Sequence, residues 1–251
     1  MLNLKRSSIW LIGLLILAGG RATAAMPPLL DAAVAKLQAD EDHWAYTRTM
    51  QEFDRAGLPK GGPTVERFDP SQPYAAQWSL AQWKGHAPSA GEQRAWARRK
   101  EREIKRREEK TLGEVMDFAQ ARAIEERGPN TVFEIPLLPG ASKRWPAEKF
   151  VVHAVVDRAR AILQGFTLQN RTPFRTMGVA RVDTIEIQAR FRLIDERYAP
   201  QPDFARAQGA GRILFFPVGA AAELTWTDYR RVTPYNDRFE VKIGDLKAFG
   251  F

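Results

Sequence analysis

Residues 179–197, VARVDTIEIQARFRLIDER, contain the longest alternating pattern in the chain. Apolar side chains occupy every second position of its centre and polar side chains fill the gaps; the apolar positions are Ile185, Ile187, Ala189, Phe191 and Leu193. Because successive side chains of a strand point to opposite faces, the pattern predicts one long β-strand with an apolar face and a solvated face. About fifteen such residues span roughly 50 Å, a length typical of a strongly curved antiparallel sheet. The apolar face of such a sheet must be covered.

The rest of the chain predicts a mainly β fold with helices (α+β). Leu30, Val34 and Leu37 have helical spacing and predict a short amphipathic helix that ends near Asp40. Short stretches rich in β-branched and aromatic residues, separated by Gly and Pro, predict antiparallel strands. These predicted strands are His43–Met50, Thr64–Phe68, Gln77–Trp83, Ala121–Arg127, Thr131–Leu137, Lys149–Asp157, Ala159–Asn170, Gly209–Val218, Glu223–Val232 and, at the end of the chain, 239–243.

A second, highly charged helix is predicted between the third and fourth strands. Ser89-Ala90-Gly91-Glu92 fits a capping box, and the helix it opens runs to about Lys110. Only Trp96, Ile104 and Leu112 give this helix an apolar line, so we expect it to be mostly solvated. An alternative function for it is a basic face that contacts anionic lipid headgroups or a protein partner. The residues of that face would be Arg98, Arg99, Arg106 and Arg107.

The N-terminus is typical of a secretory signal. Residues 1–25 contain a positive start, an apolar core over 9–18 and a small-residue cleavage site near Ala24-Ala25. We therefore expect an exported protein whose mature part, 26–251, is a single β-rich domain with a charged helical insertion near 89–118. The apolar core is too short to span a bilayer comfortably, which argues against the alternative of a membrane anchor.

The amino-acid composition excludes several classes of site and partner. The chain has no Cys, which excludes disulfides, cysteine ligands and cysteine nucleophiles. Removal of residues 1–25 leaves 35 basic against 30 acidic residues, a net charge of +5. This mild excess suits an anionic membrane surface, whereas an exported chain with no nucleic-acid motif is not expected to bind nucleic acid.

Residue patterns for catalysis are absent from the sequence. The three His residues, His43, His86 and His153, do not have metal-ligand spacing. Glycine loops that cradle phosphate and Gly-x-Ser-x-Gly motifs do not occur. We therefore expect no metal, no cofactor and no enzymatic activity. The seven Trp and fourteen Phe residues instead raise two alternatives, a packed core or an apolar pocket on one face of the sheet.

The order of elements, together with HWAYTRT at 43–49 and ELTWTDYRRV at 223–232, resembles the periplasmic lipoprotein-carrier and lipoprotein-receptor family (LolA/LolB-like). This resemblance spans roughly residues 29–235. It implies a curled antiparallel half-barrel with the N-terminal and inserted helices on its concave face, and a hollow that takes acyl chains. The lid would contribute Trp96, Val115, Met116 and Phe118.

Two functions follow from the sequence. The first is a non-catalytic periplasmic protein that binds acyl chains or a lipidated protein in the sheet cavity. The cavity would be lined by Trp96, Val115, Met116, Phe118, Ile185, Ile187, Phe191, Leu193, Phe215 and Trp226. The second is an envelope structural or interaction protein of the same fold, without a cavity, that docks a partner through the basic helix.

Overall fold

The structure is a computed structural model that describes residues 26–38, 43–108, 114–140, 146–176, 178 and 180–235, without the side chains of 38 and 105–108. Within this part of the chain the fold is α+β, as predicted: one open, curled antiparallel sheet of eleven strands with two α-helices. The predicted signal peptide at 1–25, the last predicted strand at 239–243 and Leu112 lie outside the described residues.

The helices are α1 (Pro28–Gln38) and α2 (Ala90–Glu108). The strands are β1 (Trp44–Phe53), β2 (Thr64–Phe68), β3 (Trp78–Gln82), β4 (Arg122–Arg127), β5 (Asn130–Pro136), β6 (Phe150–Asp157), β7 (Ile162–Asn170), β8 (Phe174–Thr176), β9 (Ala180–Arg192), β10 (Gln201–Ile213) and β11 (Phe216–Arg231). They lie side by side in the order β3-β2-β1-β11-β10-β9-β7-β6-β5-β4, and β8 pairs with the start of β9.

The register of the strands gives the sheet one face that is apolar from β5 to β11, which we call the inner face. Ile187 on β9 lies opposite Ala207 on β10 and Leu168 on β7, and all three side chains are buried. Directly opposed residues of neighbouring strands point to the same side. The core therefore runs across the sheet from β5 to β11 on this side.

Both helices lie on the inner face. α1 packs on β6 and β7 and buries Leu30 and Ala33 in the core. α2 contacts Glu66 of β2 and Arg48 of β1. Arg48 lies opposite Trp226 of β11, a core residue, so α2 covers the other side of the same face.

The strand predicted at 179–197 is real but shorter than expected. β9 has 13 residues and ends at Arg192. Beyond it, the Oδ1 atom of Asp195 accepts a hydrogen bond from the backbone N–H of Arg197 at 3.0 Å, which makes a local turn. Such a side-chain contact competes with strand pairing.

One predicted strand, Gly209–Val218, is wrong. The structure places a two-residue hairpin turn, Leu214-Phe215, in its middle, and two long strands, β10 and β11, run away from it. The turn escaped prediction because it lacks Gly, Asn, Asp and Pro, which usually mark hairpin turns.

Candidate functional site

The inner face stays apolar as it emerges from the core into solvent. Ile187 is 2% exposed, whereas Ile185, two residues away on the same face of β9, is half-buried. On β11 the same step leads from buried Ala222 to exposed Ala220. Gly209 of β10 lies opposite both Ile185 and Ala220. The ends of β9, β10 and β11 therefore present an apolar surface that solvent can reach, bordered on β1 by half-buried Glu52, which lies opposite Ala222.

Small side chains form the buried part of the inner face next to this surface. Ala207 on β10 lies opposite Ala222 on β11, and Ala205 is two residues further along β10. All three are at most 3% exposed, so other side chains cover them. Deeper in the core, Phe191 and Phe166 pack with ring centroids 6.2 Å apart.

The segment after α2 returns to the inner face at the opposite side of the sheet. Met116 pairs with Leu137, just beyond β5, and the backbone N–H of Asp117 donates to the carbonyl oxygen of Pro136 at 2.9 Å. These bonds fix Met116 and Phe118, which are both buried in the core. The segment thus adds apolar side chains to the inner face without belonging to a long helix.

A buried group of four charged residues attaches α2 to the sheet; we call it the charge cluster. It consists of Arg48 on β1, Glu66 on β2, and Lys100 and Glu103 on α2. Arg48 donates to Glu66 from Nε at 3.0 Å and also from its terminal NH2 group. The Nζ atom of Lys100 lies 2.9 Å from Glu66 Oε2 and 3.2 Å from Glu103 Oε2. The two positive and two negative charges of the cluster cancel.

Two tryptophans complete the environment of the charge cluster. The indole N–H of Trp96 donates to Glu66 Oε1 at 2.5 Å. The Nζ atom of Lys100 lies 4.1 Å from the ring centroid of Trp78 on β3, and the Arg48 guanidinium lies 4.9 Å from the same ring. The face of an aromatic ring attracts cations. The charged groups therefore contact opposite charges, the indole N–H of Trp96 and the ring face of Trp78.

The electrostatics of the cluster follow from burial and pairing. Burial alone would raise the pKa of Glu66, but Arg48 and Lys100 together hold that pKa well below its ordinary value. Burial, with repulsion from Arg48, lowers the pKa of Lys100 to about 8, although Glu66 and Glu103 oppose the shift. Burial would also lower the pKa of Arg48, but the two carboxylates hold it above its ordinary value. Glu66 is thus an anion at neutral pH.

The cluster corrects the prediction for α2. The sequence predicted attachment along Trp96, Ile104 and Leu112, whereas the helix uses Trp96, Lys100 and Glu103, at positions i, i+4 and i+7. Lys100 is only 4% exposed. Charged helical residues are usually solvated, and no pattern within the helix indicates that its docking partner on β2 is a carboxylate.

Most of the predicted cavity residues lie on or against the inner face. Those buried in its core are Met116, Phe118, Ile187, Phe191 and Trp226, and those packed against this core are Val115 and Ile185. Trp96 is buried too, but against Glu66 of the charge cluster. Leu193 lies beyond the end of β9 and is half-buried.

The expected position of Phe215 is wrong. Its side chain is 91% exposed at the turn between β10 and β11, so it does not line the inner face. The reason is the unpredicted turn itself, because a continuous strand at 209–218 would have placed Phe215 within the sheet.

The basic residues proposed on α2 have different surroundings. Arg98 is exposed, whereas the Arg99 guanidinium lies 5.1 Å from the ring centroid of Trp83. The side chains of Arg106 and Arg107 are outside the described part of the chain.

The described residues contain no group of three or more His, Asp or Glu side chains arranged to hold a metal ion. His153 lies on the opposite face of the sheet, with its Nε2 atom 3.6 Å from Glu134 Oε2. Neither of the helices in this part of the chain is long and apolar enough to cross a membrane.

Comparison of the sequence with protein-family models and with curated proteins found no match. The resemblance to lipoprotein carriers therefore stays a prediction from layout and short sequence stretches.

Proposed function

We propose that this protein is a non-catalytic periplasmic protein that binds an apolar ligand, either acyl chains or a lipidated protein, on the inner face of its sheet. One observation carries the proposal: the inner face remains apolar from buried Ile187 to half-buried Ile185 and from buried Ala222 to exposed Ala220. Removing such surface from water stabilises a complex by about 25 cal/mol per Å². A long, thin acyl chain suits a surface of small residues such as Gly209 and Ala220.

The attachment of α2 supports the same proposal. A helix held by an apolar seam exposes that whole seam to water when it moves. α2 is held largely by Lys100, Glu103 and their partners on β1 and β2, whose charges water can solvate when they separate. The helix is thus suited to move away from the β1–β3 side of the inner face, which would widen access to that face for a ligand.

Uptake of a fluorescent fatty acid, dansylundecanoic acid, tests the proposal. Ile185→Asp places a charge on the accessible part of the inner face, and we expect it to lower the affinity at least roughly tenfold. Thr184→Asp, one residue away on the opposite face, is the matched control and should bind like the wild type. Phe191→Asp would be a less specific test, because Phe191 is buried in the core and a charge there would also destabilise the fold. Equal affinity of both variants would overturn the proposal.

Export is part of this proposal and has its own test. The intact mass of the protein recovered from a periplasmic extract should correspond to a chain that begins near Met26. A full-length mass in the cytoplasmic fraction would contradict export.

A second candidate function is docking of an acidic partner on the outward side of α2. Arg94, Arg98 and Arg102 are exposed and lie four residues apart, so they form one basic stripe. Substituting all three by Glu should abolish crosslinking to such a partner. Under the ligand-binding proposal, the same variant keeps its affinity for dansylundecanoic acid.

A further inference from the structure

The turn between β10 and β11 presents large apolar side chains to solvent. We call residues Ile213–Phe216 the hairpin tip. Leu214, Phe215 and Phe216 are 61%, 91% and 72% exposed. Single exposed apolar residues are common on protein surfaces, whereas three consecutive ones at the apex of a long hairpin indicate an interaction site.

The folding of the hairpin does not explain these residues. Leu214 has a φ of 54°, in the left-handed region that bulky side chains rarely adopt. A two-residue hairpin turn with a positive φ only at its first residue favours Gly at that position. The sequence therefore places a bulky apolar residue where the fold favours glycine.

A second apolar residue and several cations surround the hairpin tip. Leu58, in the β1–β2 loop at the same end of the sheet, is 63% exposed. That loop contacts β11 directly, because the side chain of Arg55 packs over Gly219. Arg212 of β10 lies opposite Arg181 of β9, one position behind Ile213. Five cations near this end are Arg55 and Lys60 in the β1–β2 loop, Arg175 on β8, Arg181 on β9 and Arg212 on β10.

Two carboxylates face this group of cations. The Oδ1 atom of Asp183 lies 2.8 Å from Arg181 Nε, and its Oδ2 atom lies 4.0 Å from Arg212 Nε. Asp54 accepts hydrogen bonds from the backbone N–H groups of Ala56 and Leu58. The five cations named above thus outnumber these two carboxylates.

We propose that the hairpin tip inserts into the interface of an anionic lipid membrane. The arrangement matches the layers of a bilayer: Leu214, Phe215 and Phe216 at the apex meet the acyl region, while Arg212 and Arg181, set back from it, meet lipid phosphates. The inference rests on the hairpin tip alone and holds whether or not the inner face binds a ligand. The tip would also bring the accessible strand ends of the inner face close to the bilayer.

The absence of Cys from the chain allows a direct test. Phe215→Cys carries an NBD fluorophore, and Glu126→Cys, exposed on edge strand β4, carries the same fluorophore as a matched control. Both full-length proteins are mixed with phosphatidylethanolamine–phosphatidylglycerol vesicles. We expect a blue shift and a rise of NBD emission at position 215 but not at position 126. Because the comparison is between positions, attachment of the chain through another segment does not produce this result.

The lipid charge is tested separately. Emission at position 215 should stay low with phosphatidylcholine vesicles. The double substitution Arg181→Glu and Arg212→Glu should weaken binding to the anionic vesicles by at least roughly tenfold. Arg190→Glu and Arg192→Glu, at the other end of β9, are the matched control and should have a smaller effect.

Three results would overturn the proposal. They are equal emission at positions 215 and 126, equal response to neutral and anionic vesicles, and a blue shift without lipid that grows with protein concentration. The last would mean that the hairpin tip is a contact between two copies of the chain.

Discussion

The Nζ atom of Lys100 on α2 lies 2.9 Å from the Oε2 atom of Glu66 on β2, in a site where both side chains are almost completely buried. Glu66 also receives hydrogen bonds from Arg48 and Trp96. One carboxylate is therefore the common partner of the groups that attach α2 to the sheet. Its loss leaves two buried cations with too few partners.

Replacement of Glu66 by Gln should strongly destabilise the protein. Breaking a buried ion pair by removing one partner costs about 3 to 5 kcal/mol, because the remaining charges stay buried. Urea unfolding at pH 7 measures the change in the free energy of unfolding. Glu125→Gln, on the exposed face of β4, is the control and should change that free energy by less than about 0.5 kcal/mol. Similar values for both variants would contradict the role given to Glu66.

Acidification should remove the stability that Glu66 provides. The pKa of Glu66 is lower in the folded protein than in the unfolded chain, so the unfolded chain takes up a proton first as the pH falls below about 4.5. Stability that Glu66 provides above that pH is therefore lost on acidification. Between pH 5 and pH 3 the free energy of unfolding, measured by urea denaturation, should fall more steeply for the wild type than for Glu66→Gln. An equal fall in both proteins would contradict the lowered pKa of Glu66.

Alkaline pH should have the opposite effect through Lys100. Its pKa is about 8 in the folded protein and 10.5 without the fold. Between these values the unfolded chain holds one more proton than the folded protein, so the free energy of unfolding rises with pH. Urea unfolding at pH 7.5, 9 and 10.5 measures this free energy. We expect it to rise with pH in the wild type relative to Lys100→Met. A constant difference between the two proteins would show that Lys100 keeps its proton.

Gly165 on β7 should not tolerate a larger side chain. A Cβ atom at this position would lie 2.6 Å from the carbonyl oxygen of Ala189 on β9. We expect Gly165→Ala to destabilise the protein by about 1 to 3 kcal/mol, because the backbones of β7 and β9 must separate. Gly91→Ala on α2 is the matched control, since a Cβ atom there has no neighbour within 4 Å. Thermal unfolding that ranks Gly91→Ala as the less stable variant would contradict the observed strand packing.

The sheet was largely predictable from the sequence because alternation and turn residues mark most of its strands. Thr64–Phe68 has the predicted bounds, and the alternating positions from Ile185 to Phe191 point to the inner face as expected. The hairpin tip was not predictable by the same rules, since Leu214-Phe215 has the composition of a strand. A local pattern cannot reveal a turn formed by residues that normally avoid turns.

The charge cluster was unpredictable for a different reason. Lys100 stands among many charged residues of α2, and Glu66 stands on a short strand where alternation allows either face. Their contact joins residues that are 34 positions apart. Only the packing of α2 across β1–β3 identifies this lysine as the buried one.

Native mass spectrometry of the protein taken from the periplasm without detergent, followed by organic extraction, shows directly whether the protein carries an apolar ligand. We predict a bound species that contains acyl chains and is lost in Ile185→Asp but kept in Thr184→Asp. A mass equal to the chain alone, together with no uptake of added dansylundecanoic acid, would contradict it. That result would mean that the inner face is a packed core, and the basic stripe of α2 would become the favoured site.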